Sequence, residues 1–255
     1  MIPKIIHICW LSGDEYPESI KRCLDSWHRF LPDYEIWLWD TKRFDINRIP
    51  WVKQAFETKK YAFAADYIRL YALYHYGGIY LDSDVVVYKS FNDLLELPYF
   101  IGEDYVHCFE PAIIGAEKGT PWLLNVLKRY EGLSFIGKDG LYNMRGLPYV
   151  FHDQLTPKYK FKLLEDKKDF VCEEGIINMF PYDYFNSRDF IAAKQYKNSY
   201  CSHNYAGSWM KQRKGWKAII RQLMPRMVLN AFYILLSIKD KERLQQIQIP
   251  YVKET

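Results

Sequence analysis

The chain has 255 residues, 49% of them hydrophobic and 26% charged, which allows one or two domains with a sizeable core and excludes disorder, collagen-like repetition and a long coiled coil. A net charge of +4 is too small to point to nucleic acid, but residues 211–243 concentrate nine Lys/Arg against two Asp/Glu. A basic tail on a mildly acidic body suggests an anionic surface as partner.

Residues 4–10 form a β-branched run that reads as a buried first strand. A loop at Ser12-Gly13-Asp14 follows, and Pro17 with Glu18 marks a helix start. Ile20, Leu24, Trp27 and Leu31 recur at helical spacing, so the pattern predicts an amphipathic helix over 18–30, ended by Pro32-Asp33. Residues 35–39 read as a second strand, closed by Asp40. A second helix is predicted over 61–76 and stops at Gly77-Gly78, glycine being the residue that tolerates a left-handed cap. Residues 79–81 and 85–88 are extended, and the alternation predicts an α/β domain with a largely parallel sheet. Further on, 112–116 reads as a strand and 122–130 as a helix, with Pro148, Pro157 and Pro181 punctuating loops.

The simplest partition is a single domain over 1–210 with an extension over 211–255. In that extension Trp216, Ile219, Ile220, Leu223 and Met227 share one helical face, Lys217, Arg221 and Arg226 lie off it, and Pro225 kinks or splits the helix. A basic amphipathic helix suits the inner-membrane surface, the alternative being that the face packs on the body. The longest apolar stretch, 227–238, is too short for a membrane span, and the first residues lack the basic-then-apolar pattern of a signal peptide. Five cysteines without a CxxC spacing argue against a disulfide framework or a zinc site and fit a reducing compartment.

The string that carries chemistry is Gly77-Gly78-Ile79-Tyr80-Leu81-Asp82-Ser83-Asp84-Val85. In extended chain, alternate residues share a face, so Asp82 and Asp84 are expected to point the same way at a strand end, where α/β sheets place ligands. Two carboxylates without a nearby Cys or Lys are hard oxygen ligands suited to Mg²⁺ or Mn²⁺, which complete their shells with substrate phosphates. A calcium loop would need an acidic residue at 86 and Gly at 87, and both are Val. By itself an Asp-x-Asp pair is weak, since two solvated turn aspartates look the same.

Its context is more specific. Ala62-Phe63-Ala64-Ala65-Asp66-Tyr67-Ile68-Arg69 followed by Gly-Gly-Ile-Tyr-Leu-Asp-Ser-Asp resembles the core signature of DXD glycosyltransferases. Within these it is most similar to the initiation mannosyltransferase and capsular polysaccharide transferase family (glycosyltransferase family 32), related to the glucosylating clostridial toxins. The opening Ile2-Pro3-Lys4-Ile5-Ile6-His7-Ile8-Cys9-Trp10 resembles that family's first strand, and His203-Asn204-Tyr205-Ala206-Gly207-Ser208-Trp209 its closing motif; the family's Gly-Pro element is Gly146-Leu147-Pro148 here.

The resemblance implies a GT-A fold and retaining transfer of a hexose or N-acetylhexosamine from a nucleotide-diphosphate sugar, UDP-sugar favoured. It implies a glycan acceptor, a lipid-linked capsular or surface polysaccharide precursor, met by a bacterial-type cytoplasmic enzyme at the cytoplasmic membrane face. A toxin-like effector glycosylating a protein and an inactive sugar-nucleotide-binding module are the alternatives. Asp66, Arg69, Asp82 and Asp84 are then the catalytic set, and Asp82, Asp84 and His203 the ligands of Mn²⁺ or Mg²⁺, with Asn204 and Ser208 as competitors for the third place. Ile8, Trp10, Ala65, Asp66, Arg69, Tyr80, Asp82, Ser83, Ser208 and Trp209 would line the donor. Trp10 would stack the base, Asp66 and Arg69 would hold sugar and phosphate, and Ser208 and Trp209 would close over the diphosphate as a lid. The resemblance names no nucleophile, and Glu103 and Asp104 are the carboxylates to test.

Overall fold

The computed structural model describes residues 1–104, 106–185, 198–204 and 245–252. The expected tail helix, the partition at 210/211 and the expected lid residues Ser208 and Trp209 lie outside the described residues.

In chain order the elements are β1 (Ile5–Cys9), α1 (Glu18–Phe30), β2 (Glu35–Trp39), α2 (Pro50–Glu57), α3 (Tyr61–Tyr76), β3 (Gly78–Leu81), β4 (Val85–Val87), β5 (Tyr99–Glu103), β6 (Phe109–Ala116), α4 (Pro121–Lys128), α5 (Leu147–Leu155), β7 (Lys160–Leu163), β8 (Ile176–Met179), α6 (Tyr182–Phe185) and β9 (Cys201–His203). A five-stranded sheet in the order β2-β1-β3-β6-β5 forms the centre, flanked by the two-stranded pairs β4-β9 and β7-β8. The expected α/β class and central sheet are present, but the sheet is mixed rather than largely parallel. β1 runs parallel to β2 and β3, whereas β6 is antiparallel to both β3 and β5. Residues 104–108 join β5 to β6, and so short a link returns the chain antiparallel instead of carrying a crossover.

Side-chain alternation sorts the two faces. Ile6, Ile8, Ile79 and Leu81 pack with Trp27 and Leu31 under α1, while Tyr80 joins α2, α3 and α4 on the other face. The indole of Trp27 donates to the Val85 carbonyl at 2.8 Å, and the Ser26 hydroxyl accepts from the Val87 amide at 2.9 Å, so α1 anchors β4 as well as covering the sheet. α3 is buried on nearly all sides, which explains its apolar composition and makes its two buried charges, Asp66 and Arg69, conspicuous.

The start of β3 is fixed by a close approach. Gly77 stands at φ 68°, ψ −174°, a glycine-only conformation and not the left-handed helical cap expected from the sequence. Gly78 stands at φ 107°, and a Cβ there would lie 2.7 Å from the Ile5 carbonyl oxygen. Beside them, the fully buried His7 accepts at Nδ1 from the Trp39 indole at 3.0 Å and meets the Gly77 carbonyl through Nε2 at 2.7 Å. An indole only donates, so Nε2 carries the proton and the ring is neutral. Burial pushes its pKa down to about 4, with Arg43 adding to the effect and the Gly77 carbonyl opposing it.

Residues 245–252, at the far end of the expected extension, lie on the body. Ile247 and Ile249 are buried, Ile249 donates its amide to the His107 carbonyl at 2.9 Å, and the Val252 amide bonds the Phe161 carbonyl at 2.9 Å. No described helix is long and apolar enough to cross a membrane.

Candidate active site

Asp66 and Arg69, three apart on α3, share a face. Both are buried, 7% and 5% exposed, so this is not a solvated surface pair. Arg69 Nη2 lies 3.1 Å from Asp66 Oδ1 and 3.3 Å from Asp82 Oδ1. Its Nη1 donates to the Pro111 carbonyl at 2.9 Å, and its guanidinium stands 4.5 Å from the centre of the Tyr80 ring. The Tyr80 hydroxyl donates to Asp82 Oδ1 at 2.8 Å. The Tyr80 ring is thus in the core while its hydroxyl is in the polar cluster.

The two aspartates converge for a different reason from the one expected. β3 ends at Leu81; the Asp82 amide bonds the Ala112 carbonyl at 2.9 Å, and the Val85 amide turns back onto the Asp82 carbonyl at 3.0 Å. Asp82-Ser83-Asp84 is a tight turn between β3 and β4, so strand alternation is not what brings the carboxylates together. β9 then pairs antiparallel with β4, placing His203 opposite Val85. His203 Nε2 lies 3.3 Å from Asp84 Oδ1 and 4.0 Å from Asp82 Oδ2. Of the competing residues, Asn204 instead gives its amide to the Asp84 carbonyl at 3.1 Å and its side-chain nitrogen to Cys23 Sγ at 3.4 Å.

Sequence reasoning missed Glu110. It is 3% exposed, its Oε1 lies 3.3 Å from His203 Nδ1, and it accepts from the Ala112 amide at 3.1 Å. The available signal was a lone carboxylate in a strand otherwise free of charge, Phe109–Ala116.

Four carboxylates, those of Asp66, Asp82, Asp84 and Glu110, thus face one guanidinium and one imidazole. Burial raises Asp66 to about 7 and Asp82 also above its ordinary range, although Arg69 pulls both down. Burial works against the charges on Arg69 and His203, but their acidic neighbours prevail: Arg69 is held above its usual range by Asp82, Tyr80 and Asp66, and His203 is raised to about 10 by Glu110 and Asp84. One ligand atom each from Asp82, Asp84 and His203 lies within 4.8 Å of the others. This donor set, with its surplus of negative charge, fits a divalent cation. The carboxylates suit Mg²⁺ or Mn²⁺, and the imidazole weights the set towards the transition metal. A ligating His203 would have to give up its proton.

The remaining expected residues divide. Trp10 is part-exposed just past β1, its indole on the Asp14 carbonyl at 2.7 Å and its ring 4.7 Å from that of Tyr16. It follows Cys9, whose thiol sits among Tyr80, Arg69 and Asp82 and is pushed up to about 12 by burial. Ser83 is in the turn, and Ala65 precedes Asp66 on α3. Ile8 departs from expectation: its side chain is buried in the core on the α1 face. Glu103 is bonded by His107 at 3.0 Å and the Tyr251 hydroxyl at 2.6 Å, and Asp104 accepts the amides of Val106 and Cys108, each at 2.9 Å. Both nucleophile candidates are thus engaged in holding the loop between β5 and β6.

Residues 17–101, which include α3 and the Asp82–Asp84 turn, match the family described as glycosyltransferase sugar-binding region containing DXD motif. Inositol phosphoceramide mannosyltransferase 3 of Schizosaccharomyces pombe is 34% identical over 142 residues, 52% of this chain and 38% of the relative. Mannosyl phosphorylinositol ceramide synthase SUR1 of Saccharomyces cerevisiae is 33% identical over 197 residues, 73% of this chain and 50% of the relative. The chain thus spans half or less of the length of these two curated relatives. Among solved structures, PaToxG glycosyltransferase aligns at a TM-score of 0.46 and 22% identity, covering 60% of this chain and 69% of that one. The segment that supplies Asp66, Arg69, Asp82 and Asp84 to this site is, by sequence, similar to the DXD-containing sugar-binding region of glycosyltransferases.

Proposed function

We propose that the chain is a metal-dependent, retaining glycosyltransferase that moves a hexose, with mannose the first to test, from a nucleotide-diphosphate sugar to a phosphorylated lipid-linked acceptor. The observation that carries this reading is the convergence of Asp82, Asp84 and His203 beside the buried Asp66–Arg69 pair, with Asp66, Arg69, Asp82 and Asp84 inside the segment that matches a DXD sugar-binding region. Asp82, Asp84 and His203 would hold Mn²⁺ or Mg²⁺, which when bound offsets the charge developing on the leaving diphosphate. Arg69, fixed by Asp66, Asp82 and the Pro111 carbonyl, supplies a preorganised positive charge on the α3 side. Asp66, with a carboxyl lifted to about 7, can donate or accept a hydrogen bond to a sugar hydroxyl. Trp10, part-exposed beyond the end of β1, offers an indole face for the base.

The relatives named above act on inositol phosphoceramide or make its mannosylated form, according to their names, which supports a phosphorylated lipid acceptor. They give no support to the capsular precursor expected from the sequence. The basic stretch 211–243 suits the surface where such a lipid resides. The test is a panel of nucleotide sugars assayed with Mn²⁺ for hydrolysis, then for transfer to an inositol phosphoceramide-type lipid in detergent. One donor should be hydrolysed, transfer should follow with retention at the anomeric carbon, and EDTA should abolish both. Absence of turnover with every donor, or full activity in EDTA, overturns the reading.

A further inference from the structure

We propose that Glu110 is the positioning residue that presents His203 to the divalent cation. The inference rests on the metal-dependent reading above and adds to it a residue outside the DXD motif and the closing His segment.

An imidazole has two nitrogens, and here they face different partners. Nε2 lies beside Asp84 and Asp82, and Nδ1 lies 3.3 Å from Glu110 Oε1. An ionised carboxylate only accepts hydrogen bonds, so Glu110 selects the form of His203 protonated at Nδ1 and leaves the Nε2 lone pair for the cation. Metal-bound histidines are commonly oriented by a carboxylate on the distal nitrogen in this way.

The two strands involved differ in support. β9 has three residues and pairs with β4 in a two-stranded unit, so it is a slight platform for a ligand. β6 is buried along its whole length and lies between β3 and β5 in the main sheet. Glu110 belongs to β6, and the Ala112 amide at 3.1 Å orients its carboxylate. Its contact with His203 ties the ligand on the small sheet to the large one. A carboxylate buried in an apolar strand is costly without such a use.

The test uses the full-length protein, Mn²⁺ alone and Mn²⁺ with a nucleoside diphosphate. Electron paramagnetic resonance gives the affinity, and the nitrogen modulation of bound Mn²⁺ reports imidazole ligation directly. The wild type should show nitrogen coupling, and His203→Ala should lose it. Glu110→Ala should bind Mn²⁺ about 10- to 100-fold more weakly with the coupling diminished. Glu110→Gln, which keeps an acceptor for Nδ1, should fall between and retain the coupling; it carries the test should Glu110→Ala fail to fold.

Glu110 variants with wild-type affinity and undiminished coupling overturn the proposal. Bound Mn²⁺ without nitrogen coupling in the wild type also overturns it, while leaving the Asp82–Asp84 reading in place. Failure of the wild type to bind Mn²⁺ under either condition removes the metal reading itself.

Discussion

Arg69 uses both arms of its fork. Nη1 holds the Pro111 carbonyl, Nη2 is shared by Asp66 and Asp82, and the guanidinium stands over the Tyr80 ring. A lysine keeps the charge but cannot span those partners. At least one of those buried acceptors is then left without its hydrogen bond, which costs about 1–3 kcal/mol. Arg69→Lys should therefore lower the melting temperature and weaken nucleotide-sugar binding at least about tenfold, a loss of about 1.4 kcal/mol; calorimetry showing unchanged affinity would remove Arg69 from the donor site. Asp84 tests the metal more directly, because it faces His203 and not Arg69. Asp84→Asn keeps the shape and removes one negative ligand. Turnover should fall at least about 100-fold, close to 2.7 kcal/mol of transition-state stabilisation, and a variant as active as the wild type would refute metal-assisted transfer.

At the scale of elements, His7 joins β1, β2 and the end of α3, and its neutrality makes that junction sensitive to acid. Its folded pKa of about 4 lies below the ordinary 6.5, so the unfolded chain binds more protons between those values. The contribution is fully present above pH 6.5 and is lost as pH falls towards 4, by up to about 3 kcal/mol. Denaturant melts at several pH values should show this slope, and His7→Asn should flatten it; equal slopes would exclude His7 as the source. Elements of this kind were legible where their signal is local. Helical spacing located α1, an apolar stretch stopped by Gly77-Gly78 located α3, a β-branched run located β1, and Asp82–Asp84 stood out beside a motif. Strand direction is not a local property, so the antiparallel β6 was not visible, and neither was the pairing of β9 with β4 that delivers His203. The aspartates do come together, though not on the geometric ground expected, since the β-turn at Asp82–Val85 follows a strand too short to include them.

At the scale of the whole molecule, the region from 211 onward combines two features that a single truncation would confound. Residues 211–243 carry the positive charge, whereas residues 245–252 dock on the body through Ile247, Ile249 and the Tyr251–Glu103 hydrogen bond. Deleting everything after 210 would remove both and could not distinguish membrane affinity from packing. Two smaller changes can. Deleting 245–255 exposes the apolar surface beneath two buried isoleucines, each worth about 1.5–3 kcal/mol, an upper range because unfolded chains already bury part of that surface. It also leaves Glu103 without its tyrosine donor. The expected loss is about 3 kcal/mol, or roughly 6–12 °C in melting temperature for a chain of this size, and an unchanged melt would show that the docked end adds nothing. Replacing Lys211, Arg213, Lys214, Lys217, Arg221 and Arg226 with glutamine removes charge without touching the docked residues. The variant should melt and hydrolyse soluble nucleotide sugar like the wild type, yet lose sedimentation with anionic vesicles, which in the wild type should weaken as salt rises. Vesicle binding that survives the charge removal, or that never occurs in the wild type, would overturn the membrane role of the basic stretch.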